Sequence, residues 1–276
     1  MGESLGKLVF PRYNGAMTTH NNSGEPPVAH APHTLLTDYY TDENGRKAYV
    51  QEVFDHTAPH YDRIERMLAF GTGPWYRRQA LLRAGLKPGM SVIDVGTGTG
   101  LVAREAAAIT GDPTLVKGVD PSTGMMAQTT VPHGVELFQG RAEQLPFPDA
   151  SFDFLSMGYA LRHISDISVA FDEFRRVLKP GGKLCLMEIT LPESRLGRVV
   201  LKGYMRGVVP LLSRVLGADR ETARLWRYYW DTIEACVPPR SVVETLKAAG
   251  FDDARRYSQM RNVTIFTEFQ ATRNPA

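Results

Sequence analysis

Cysteine is scarce in this chain, and so are long apolar runs and any excess of charge of one sign. Only two of the 276 residues are cysteine, Cys185 and Cys236, which favours free buried thiols in a reducing compartment over a disulfide framework. No apolar run reaches the roughly 20 residues that a membrane span needs, and the apolar residues 8–10 meet Pro11, so no secretory signal is predicted. The net charge of +2 gives no general attraction to nucleic acid. These absences predict a cytoplasmic protein.

The first 42 residues differ in composition from the rest. They are rich in Asn, Pro, Thr, His and Gly with few periodic apolar positions, which predicts a flexible N-terminal tail. His20, His30 and His33 lack the spacing of metal ligands, so we expect solvated histidines and no metal site. Residues 43–276 are predicted to form one domain with a helical lid insertion at about 191–238.

The rest of the chain alternates short apolar runs with helical segments. Helical periodicity, broken at Pro59, predicts cap helices ahead of a core. Further helices are expected at 75–84 and 239–250, and two β-rich runs at 254–259 and 263–271 predict an antiparallel hairpin at a sheet edge. Strands are expected near 91–95, 115–119, 135–139, 152–157 and 183–189. This alternation predicts an α/β fold with a Rossmann-like, doubly wound, mostly parallel sheet.

Residues 92–100, V-I-D-V-G-T-G-T-G, are the most informative stretch. A strand ends in Asp94 and Val95, and Gly96, Gly98 and Gly100 then let the backbone approach a ligand closely. The loop opens a helix, whose free N–H groups point to the same place. Asp120 ends the next strand, where a carboxylate can accept from both hydroxyls of a ribose. The pattern predicts a nucleoside-binding βαβ unit.

A dinucleotide site is the nearest rival. Its G-x-G-x-x-G loop does not fit, because the third glycine comes one residue early and position 101 is Leu. Asp94 would also repel a pyrophosphate, whereas it suits a ligand with a cationic end and no phosphate. S-adenosylmethionine (SAM), with its α-amino group and sulfonium, is therefore the predicted cofactor, and S-adenosylhomocysteine its product.

Several motifs resemble the UbiE/COQ5 family of quinone C-methyltransferases, within the class I SAM-dependent methyltransferases. They are Tyr61-Asp62 ahead of the core, the glycine loop, the run A-E-Q-L-P-F from Ala142, the Leu161-Arg162 pair, and L-K-P-G-G from Leu178. The resemblance covers roughly residues 47–270. It implies the class I methyltransferase fold, SAM as cofactor, and an apolar aromatic or quinol acceptor that is methylated on carbon.

The loop and the resemblance together give the predicted cofactor site. The backbone around Ala142 is expected to hold the adenine, with Glu143 accepting a hydrogen bond, because the Arg141 guanidinium can only donate. The chain departs from the family at Arg141, where Asp or Asn is usual, and at Gly158, where a serine is usual. The predicted cofactor residues are Asp94, Gly96, Thr97, Gly98, Thr99, Gly100, Asp120, Met125, Arg141, Ala142, Glu143 and Gly158.

Three residues are predicted to act on the acceptor. Arg162 would stabilise a developing phenolate, and Tyr61 would orient the acceptor hydroxyl. His163, where the family has Asn, would be the base and make the rate rise through about pH 6–7. The competing interpretations are an ion pair of Arg162 with Asp166 or Asp153, a surface position for His163, and simple packing for Tyr61.

The lid insertion carries a basic, amphipathic segment. Its basic residues occur without an acid between positions 194 and 216, which suits peripheral contact with an anionic bilayer. The alternative is a lid helix that packs its apolar face on the domain, and Pro210 is expected to kink or split it. The basic residues are Arg195, Arg198, Lys202, Arg206 and Arg214.

Other functions and partners stay open at this point. A methyltransferase for oxygen or nitrogen of another small aromatic metabolite is one alternative, and a non-catalytic SAM-binding scaffold or sensor is another. An open acceptor pocket would favour an enzyme, and a filled one would favour the scaffold. Nucleic acid is not an expected substrate, because no N-P-P-[YF] motif follows the fourth strand. A homodimer is compatible with the sequence.

Overall fold

The core of the protein is one seven-stranded sheet, seen in a computed structural model that describes residues 30–68, 71–192, 194–211, 220–258 and 265–275. Its order is β3-β2-β1-β4-β5-β7-β6. The first five strands pair in parallel, and β7 pairs antiparallel with both β5 and β6. This confirms the predicted sheet and its antiparallel edge pair. The strands are β1 Val92–Val95, β2 Val116–Asp120, β3 Glu136–Gln139, β4 Phe152–Gly158, β5 Leu178–Ile189, β6 Phe251–Tyr257 and β7 Phe266–Arg273.

Helices cover both faces of the sheet, as parallel strands require. One face packs on α2 and α3 and the other on α5 and α8, in two separate apolar clusters. Side-chain caps begin some of them: Asp166 accepts from the backbone N–H groups of Ser168 and Val169. The helices are α1 Glu43–Leu68, α2 Gly73–Arg83, α3 Leu101–Thr110, α4 Thr123–Ala127, α5 Ile167–Val177, α6 Arg195–Gly203, α7 Arg220–Ala235 and α8 Pro239–Ala248.

The order of the strands reverses between β1 and β4, which lie side by side in the middle of the sheet. Loops from adjacent parallel strands diverge at such a switch point and leave a crevice beyond the carboxyl ends of the strands. A third apolar cluster, formed by α1, α6, α7 and residues near Tyr40, covers this crevice. The switch point therefore positions the site between the sheet and a helical cap.

The predicted tail boundary at residue 42 is wrong for residues 30–42. His33 forms a β-bridge with Cys236, Val237 N donates to Pro32 O at 2.7 Å, and Tyr40 is only 5% exposed. The segment packs on α7 as an irregular strap. Because it is neither a helix nor a strand, its buried residues do not recur with a period, and the sequence pattern did not indicate them. Residues 1–29 lie outside the described residues.

Of the two prolines that were predicted to interrupt helices, Pro59 does not do so. α1 runs through Pro59 without a break. The missing N–H leaves the Asp55 carbonyl without a helical partner, and this carbonyl faces Gly124, whose N–H donates to the Asp55 carboxylate at 2.8 Å. In the lid, the helix is described through Pro210 to residue 211, and a π-helical turn at Tyr204–Val208 precedes this proline. Residues 212–219 lie outside the description.

Candidate active site

A large cavity opens at the switch point, beneath α1 and α7. It contains about 1080 Å³ of empty space, part of which is open to solvent. Its lining is of two kinds. The polar half comprises Gly96, Thr97, Gly98, Asp120, Ser122, Met125 and residues 140–143, and the aromatic half comprises Phe54, Tyr61, Tyr159, His163 and Tyr229.

The glycine loop shapes the polar half. Gly96 and Gly98 have φ values of 67° and 56°, which favour glycine. A Cβ on Gly96 would lie 2.6 Å from the Ala160 side chain, and one on Gly100 would overlap Val131. The loop therefore needs glycine both for its backbone conformation and for the close approach of neighbouring segments.

Asp120 lies at the end of β2 and lines the polar half, as predicted. Its Oδ2 accepts from Gly98 N and its Oδ1 from Ser122 N, each at 2.8 Å. Burial raises the pKa of this carboxyl to about 6, although both backbone hydrogen bonds oppose the rise. Each oxygen keeps a lone pair for a further donor. The carboxylate is thus fixed in place and able to accept two hydroxyl groups.

Asp94 and Gly100 are not among the lining residues, which corrects their prediction as cofactor contacts. Asp94 is 1% exposed and accepts from the hydroxyl groups of Thr97 at 2.8 Å and Ser156 at 2.7 Å. Burial raises its pKa to about 6. Asp94 therefore holds the loop to β4 from below, and Gly100 serves as the left-handed N-cap of α3.

The other predicted cofactor residues reach the cavity. The Glu143 carboxylate also accepts from Ser165 N at 2.8 Å, which joins its loop to the segment after β4. At Gly158 a Cβ would lie 2.7 Å from Val102, so the serine usual in the family would displace that side chain. Met125 closes the floor, with its methyl 3.2 Å from the position of a Cβ on Gly98.

Two carboxylates of α1 tie the cap to the polar half. Asp62 accepts from the Thr99 hydroxyl at 2.5 Å. About two helical turns earlier, Asp55 accepts from the Ser122 hydroxyl at 2.5 Å and from Gly124 N. Thr99 lines the cavity, but its hydroxyl is engaged with Asp62 rather than directed to a ligand. The Tyr61-Asp62 element thus places one residue in the aromatic half and one on the loop.

The aromatic half is a cluster of rings from three elements. Phe54 lies 5.1 Å from the His163 ring, 6.0 Å from Tyr229 and 6.4 Å from Tyr61, measured between centroids. The Tyr229 hydroxyl donates to the Tyr61 hydroxyl at 3.5 Å. Burial raises the pKa of Tyr61 and of Tyr159, so both remain neutral hydrogen-bond donors at pH 7. Such walls suit a flat, apolar ligand with a few polar substituents.

His163 lies on the wall of the cavity, as predicted. Its Nδ1 is 3.4 Å from the Tyr228 hydroxyl, and its Nε2 is buried without a partner among the described residues. Burial, helped by the positive charge of Arg162, holds the pKa of His163 well below its ordinary value. The imidazole is therefore neutral at physiological pH, which weakens the prediction of a proton-accepting base.

Arg162 does not line the cavity, and this corrects its prediction as a contact of the acceptor. Its guanidinium pairs with Glu188 of β5, and its Nε donates to the Thr232 hydroxyl at 3.3 Å. Neither of the predicted partners takes part, since Asp166 caps α5 and Asp153 binds Lys179. Arg162 reaches the site only indirectly, with its guanidinium carbon 5.7 Å from the centroid of the Tyr229 ring.

Three residues that line or support the cavity were not predicted from the sequence, namely Arg46, Arg77 and Tyr159. Arg46 is 1% exposed and donates to the carbonyls of Arg162 and Ile164 at 3.0 and 2.7 Å, which secures the His163 loop to α1. The sequence offered one indication of this burial: Arg46 precedes Val50 and Val53 at helical spacing, so it lies on the apolar face of α1. Arg77 and Tyr159 also line the cavity, and Tyr159 has a φ of 61°, which is strained for a bulky residue.

Comparison with known proteins settles the family. The profile of the ubiE/COQ5 methyltransferase family matches residues 41–268. This chain belongs to that family. The ubiquinone/menaquinone biosynthesis C-methyltransferase UbiE of Geobacter sulfurreducens is 31% identical, covering 84% of this chain and 91% of that protein. The demethylmenaquinone methyltransferase of Symbiobacterium thermophilum is 32% identical, covering 75% of this chain and 86% of that protein.

A solved structure shares the fold of this methyltransferase. The SAM-dependent methyltransferase from Thermotoga maritima superposes with a TM-score of 0.56, at 22% identity, covering 81% of this chain and 99% of that one. At such identity the likeness concerns the fold alone. The predicted class I methyltransferase fold is confirmed.

The polar half of this methyltransferase fits its cofactor, SAM. The Asp120 carboxylate can accept from a pair of hydroxyl groups, and Gly96 and Gly98 line the same part of the cavity with backbone alone. Gly96, Gly98 and Asp120 would hold the cofactor together with Ala142, whose backbone neighbours the polar half. Among the described residues there is no cluster of three side chains that could hold a metal ion.

Proposed function

We propose that this methyltransferase methylates a ring carbon of a quinol or hydroxylated aromatic acceptor with an apolar tail. The observation that carries the proposal is the continuity of the two halves: the aromatic half adjoins the cofactor site within one cavity. The relatives named above are quinone-biosynthesis methyltransferases, which supports the same class of acceptor.

The residues of the aromatic half would position the acceptor. Bound SAM supplies an electrophilic methyl group, and alignment of the acceptor with it accounts for much of the rate. Tyr61 would donate a hydrogen bond to a ring oxygen, since its pKa is raised and its hydroxyl stays protonated. His163 would accept from an acceptor hydroxyl through Nε2 as a neutral imidazole. Arg162 would act as a positioning residue for Tyr229.

Two other functions are less well supported. A non-catalytic SAM-binding scaffold has no use for an aromatic half with open space beside the cofactor. Methylation of oxygen or nitrogen of another small aromatic metabolite would use the same walls. Identification of the methylated atom separates it from carbon methylation.

Transfer of labelled methyl from SAM to a panel of reduced quinols and phenols tests the proposal. We expect products whose mass rises by one methyl group and whose new methyl is attached to a ring carbon. Tyr61→Phe should lower turnover, whereas Tyr257→Phe, on an exposed ring of the sheet edge, should not. Labelled products methylated only on oxygen or nitrogen would contradict the proposal.

The lid insertion has a surface that suits contact with an anionic membrane. Leu201, Met205 and Val209 are buried against the cap, which agrees with a lid helix. The opposite face exposes a second apolar stripe between basic residues, namely Leu196, Val199, Val200, Val208 and Leu211 at 44–74% exposure. An apolar face flanked by cations suits the headgroup region of an anionic bilayer. No helix among the described residues is long and apolar enough to cross a membrane.

Flotation with anionic and neutral vesicles tests this contact. Replacement of Leu196, Val199 and Val200 by serine should release the protein from anionic vesicles. Replacement of three exposed apolar residues elsewhere, Leu35, Leu82 and Val169, by serine is the control. Equal binding to neutral and anionic vesicles would contradict the proposal, and a monomer–dimer shift in the first variant alone would assign the stripe to a homodimer.

A further inference from the structure

Arg77 of α2 is a buried cation on the wall of the cavity. Its side chain is 2% exposed, and its Nη2 donates to Glu65 Oε1 at 2.5 Å. Nε and Nη1 are buried without a hydrogen-bond partner among the described residues. A guanidinium in a protein is always charged and offers five N–H groups. This one therefore retains donor capacity at a place where unmet donors are costly.

The position of Arg77 assigns it to the aromatic half. Its guanidinium carbon lies 5.9 Å from the centroid of the Tyr159 ring, whose strained backbone directs that residue to the same wall. Its partner Glu65 stands one helical turn after Tyr61 on α1, so both side chains lie on one face of that helix. A positive charge thus stands among the rings that would surround the acceptor.

We propose that Arg77 binds an anionic oxygen of the acceptor, and that Glu65 positions Arg77 for this contact. The inference rests on the proposed function and narrows its acceptor to compounds with an ionisable ring hydroxyl, bound as the phenolate. The hydroxyl proton passes to solvent buffer when the acceptor binds. The negative charge left on oxygen is shared with the adjacent ring carbons, which makes them nucleophilic.

The ion pair with Glu65 explains how the Arg77 guanidinium can be buried when no acceptor is bound. A lone buried guanidinium would be strongly disfavoured, whereas a pair with one carboxylate is tolerated. Glu65 occupies a single nitrogen, so the phenolate can bind elsewhere on the same guanidinium. The carboxylate and the phenolate then share one positive charge, and Glu65 weakens the binding of the phenolate while it holds Arg77 in place.

This competition gives an experiment that does not depend on turnover. The probe is 4-nitrophenol, whose phenolate absorbs visible light, titrated with pH in the presence of the full-length protein and S-adenosylhomocysteine. For the wild type we expect the pKa of the bound phenol to lie below that of the free phenol. Arg77→Gln should weaken binding of the phenolate about tenfold or more, and Arg77→Lys should retain part of it. Arg78→Gln, at the neighbouring exposed arginine, is the matched control and should change nothing.

Glu65→Gln separates binding from a merely structural role. The amide can still accept from Nη2, but its negative charge is gone, so the phenolate should bind more tightly than in the wild type. If the pair only stabilised the fold, Arg77→Gln and Glu65→Gln would act in the same direction. That result, or equal phenolate binding by Arg77→Gln and the wild type, would overturn the proposal. Analysis of the methylated product tests the proposed function separately. A phenolate that binds through Arg77 but is methylated on oxygen would contradict carbon methylation and leave the role of Arg77 intact.

Discussion

Arg162 and Glu188 form an ion pair in which both side chains are almost completely buried, at 2% and 1% exposure. The pair joins the turn after β4 to the neighbouring strand β5, directly behind the aromatic half. The arginine of the Leu-Arg pair is therefore part of the support of the site rather than its surface. Its influence on the reaction passes through Tyr229 and the His163 loop.

Removal of Glu188 should destabilise the protein strongly. Glu188→Ala leaves the Arg162 guanidinium buried without a counter-charge, which typically costs about 3–5 kcal/mol. The double variant Arg162→Met, Glu188→Met should recover most of this loss, since it removes both charges together. Denaturant unfolding measures both effects. SAM affinity under folding conditions should stay unchanged, and a marked loss of affinity in the double variant would contradict the supporting role.

The sequence predicted the parts of the site that depend on neighbouring residues. A strand, a glycine loop and a helix start are local patterns, and Asp120 follows from the length of one βα unit. Partners far along the chain are not readable in this way: Arg162 meets Glu188 only because β4 and β5 are adjacent. The burial of Asp94 escaped prediction because β1 is covered on both faces, so no alternation indicates where its side chain lies. The packing of the strap at 30–42 was not predicted, because the buried residues of an irregular segment do not recur at a regular spacing.

SAM affinity should depend on pH through Asp120. Only the ionised carboxylate can accept from both ribose hydroxyls, and its pKa in the ligand-free protein is raised to about 6. Affinity should therefore be full above pH 7 and fall as the pH drops through 6, approaching tenfold per unit at lower pH. Asp120→Asn should weaken binding by about 1–3 kcal/mol at pH 7.5 and remove most of the dependence.

Asp94 provides the control for this titration, because its pKa is also raised to about 6. It does not line the cavity, so Asp94→Asn should keep the fall in affinity below pH 6. Isothermal titration calorimetry from pH 5 to 8 measures all three proteins. A wild-type affinity that is flat over this range would contradict the role of Asp120, and loss of the step in Asp94→Asn alone would transfer it to Asp94.

The strap at 30–42 should contribute to stability. Tyr40 is 5% exposed, and its ring lies 5.9 Å from that of Tyr49 in the cap cluster. Tyr40→Ala should lower the free energy of unfolding by about 3 kcal/mol and lower the Tm by several degrees. Leu35→Ala, at a residue of the same segment that is 40% exposed, should have little effect. Equal Tm values for Tyr40→Ala and the wild type would mean that the strap is dispensable.

His163 should affect turnover without a titration near pH 6.5. An ordinary histidine base would make the rate rise through about pH 6–7, but burial and the charge of Arg162 hold the pKa of His163 well below that range. The neutral imidazole can still accept a hydrogen bond from the acceptor, and Asn can accept one through its amide oxygen. His163→Asn should therefore keep the wild-type pH profile with a modest loss of turnover, while His163→Leu should lower turnover about tenfold or more. Both variants should bind SAM normally, since His163 belongs to the aromatic half. A rate step near pH 6.5 that is present in the wild type and absent from His163→Asn would restore His163 as the base.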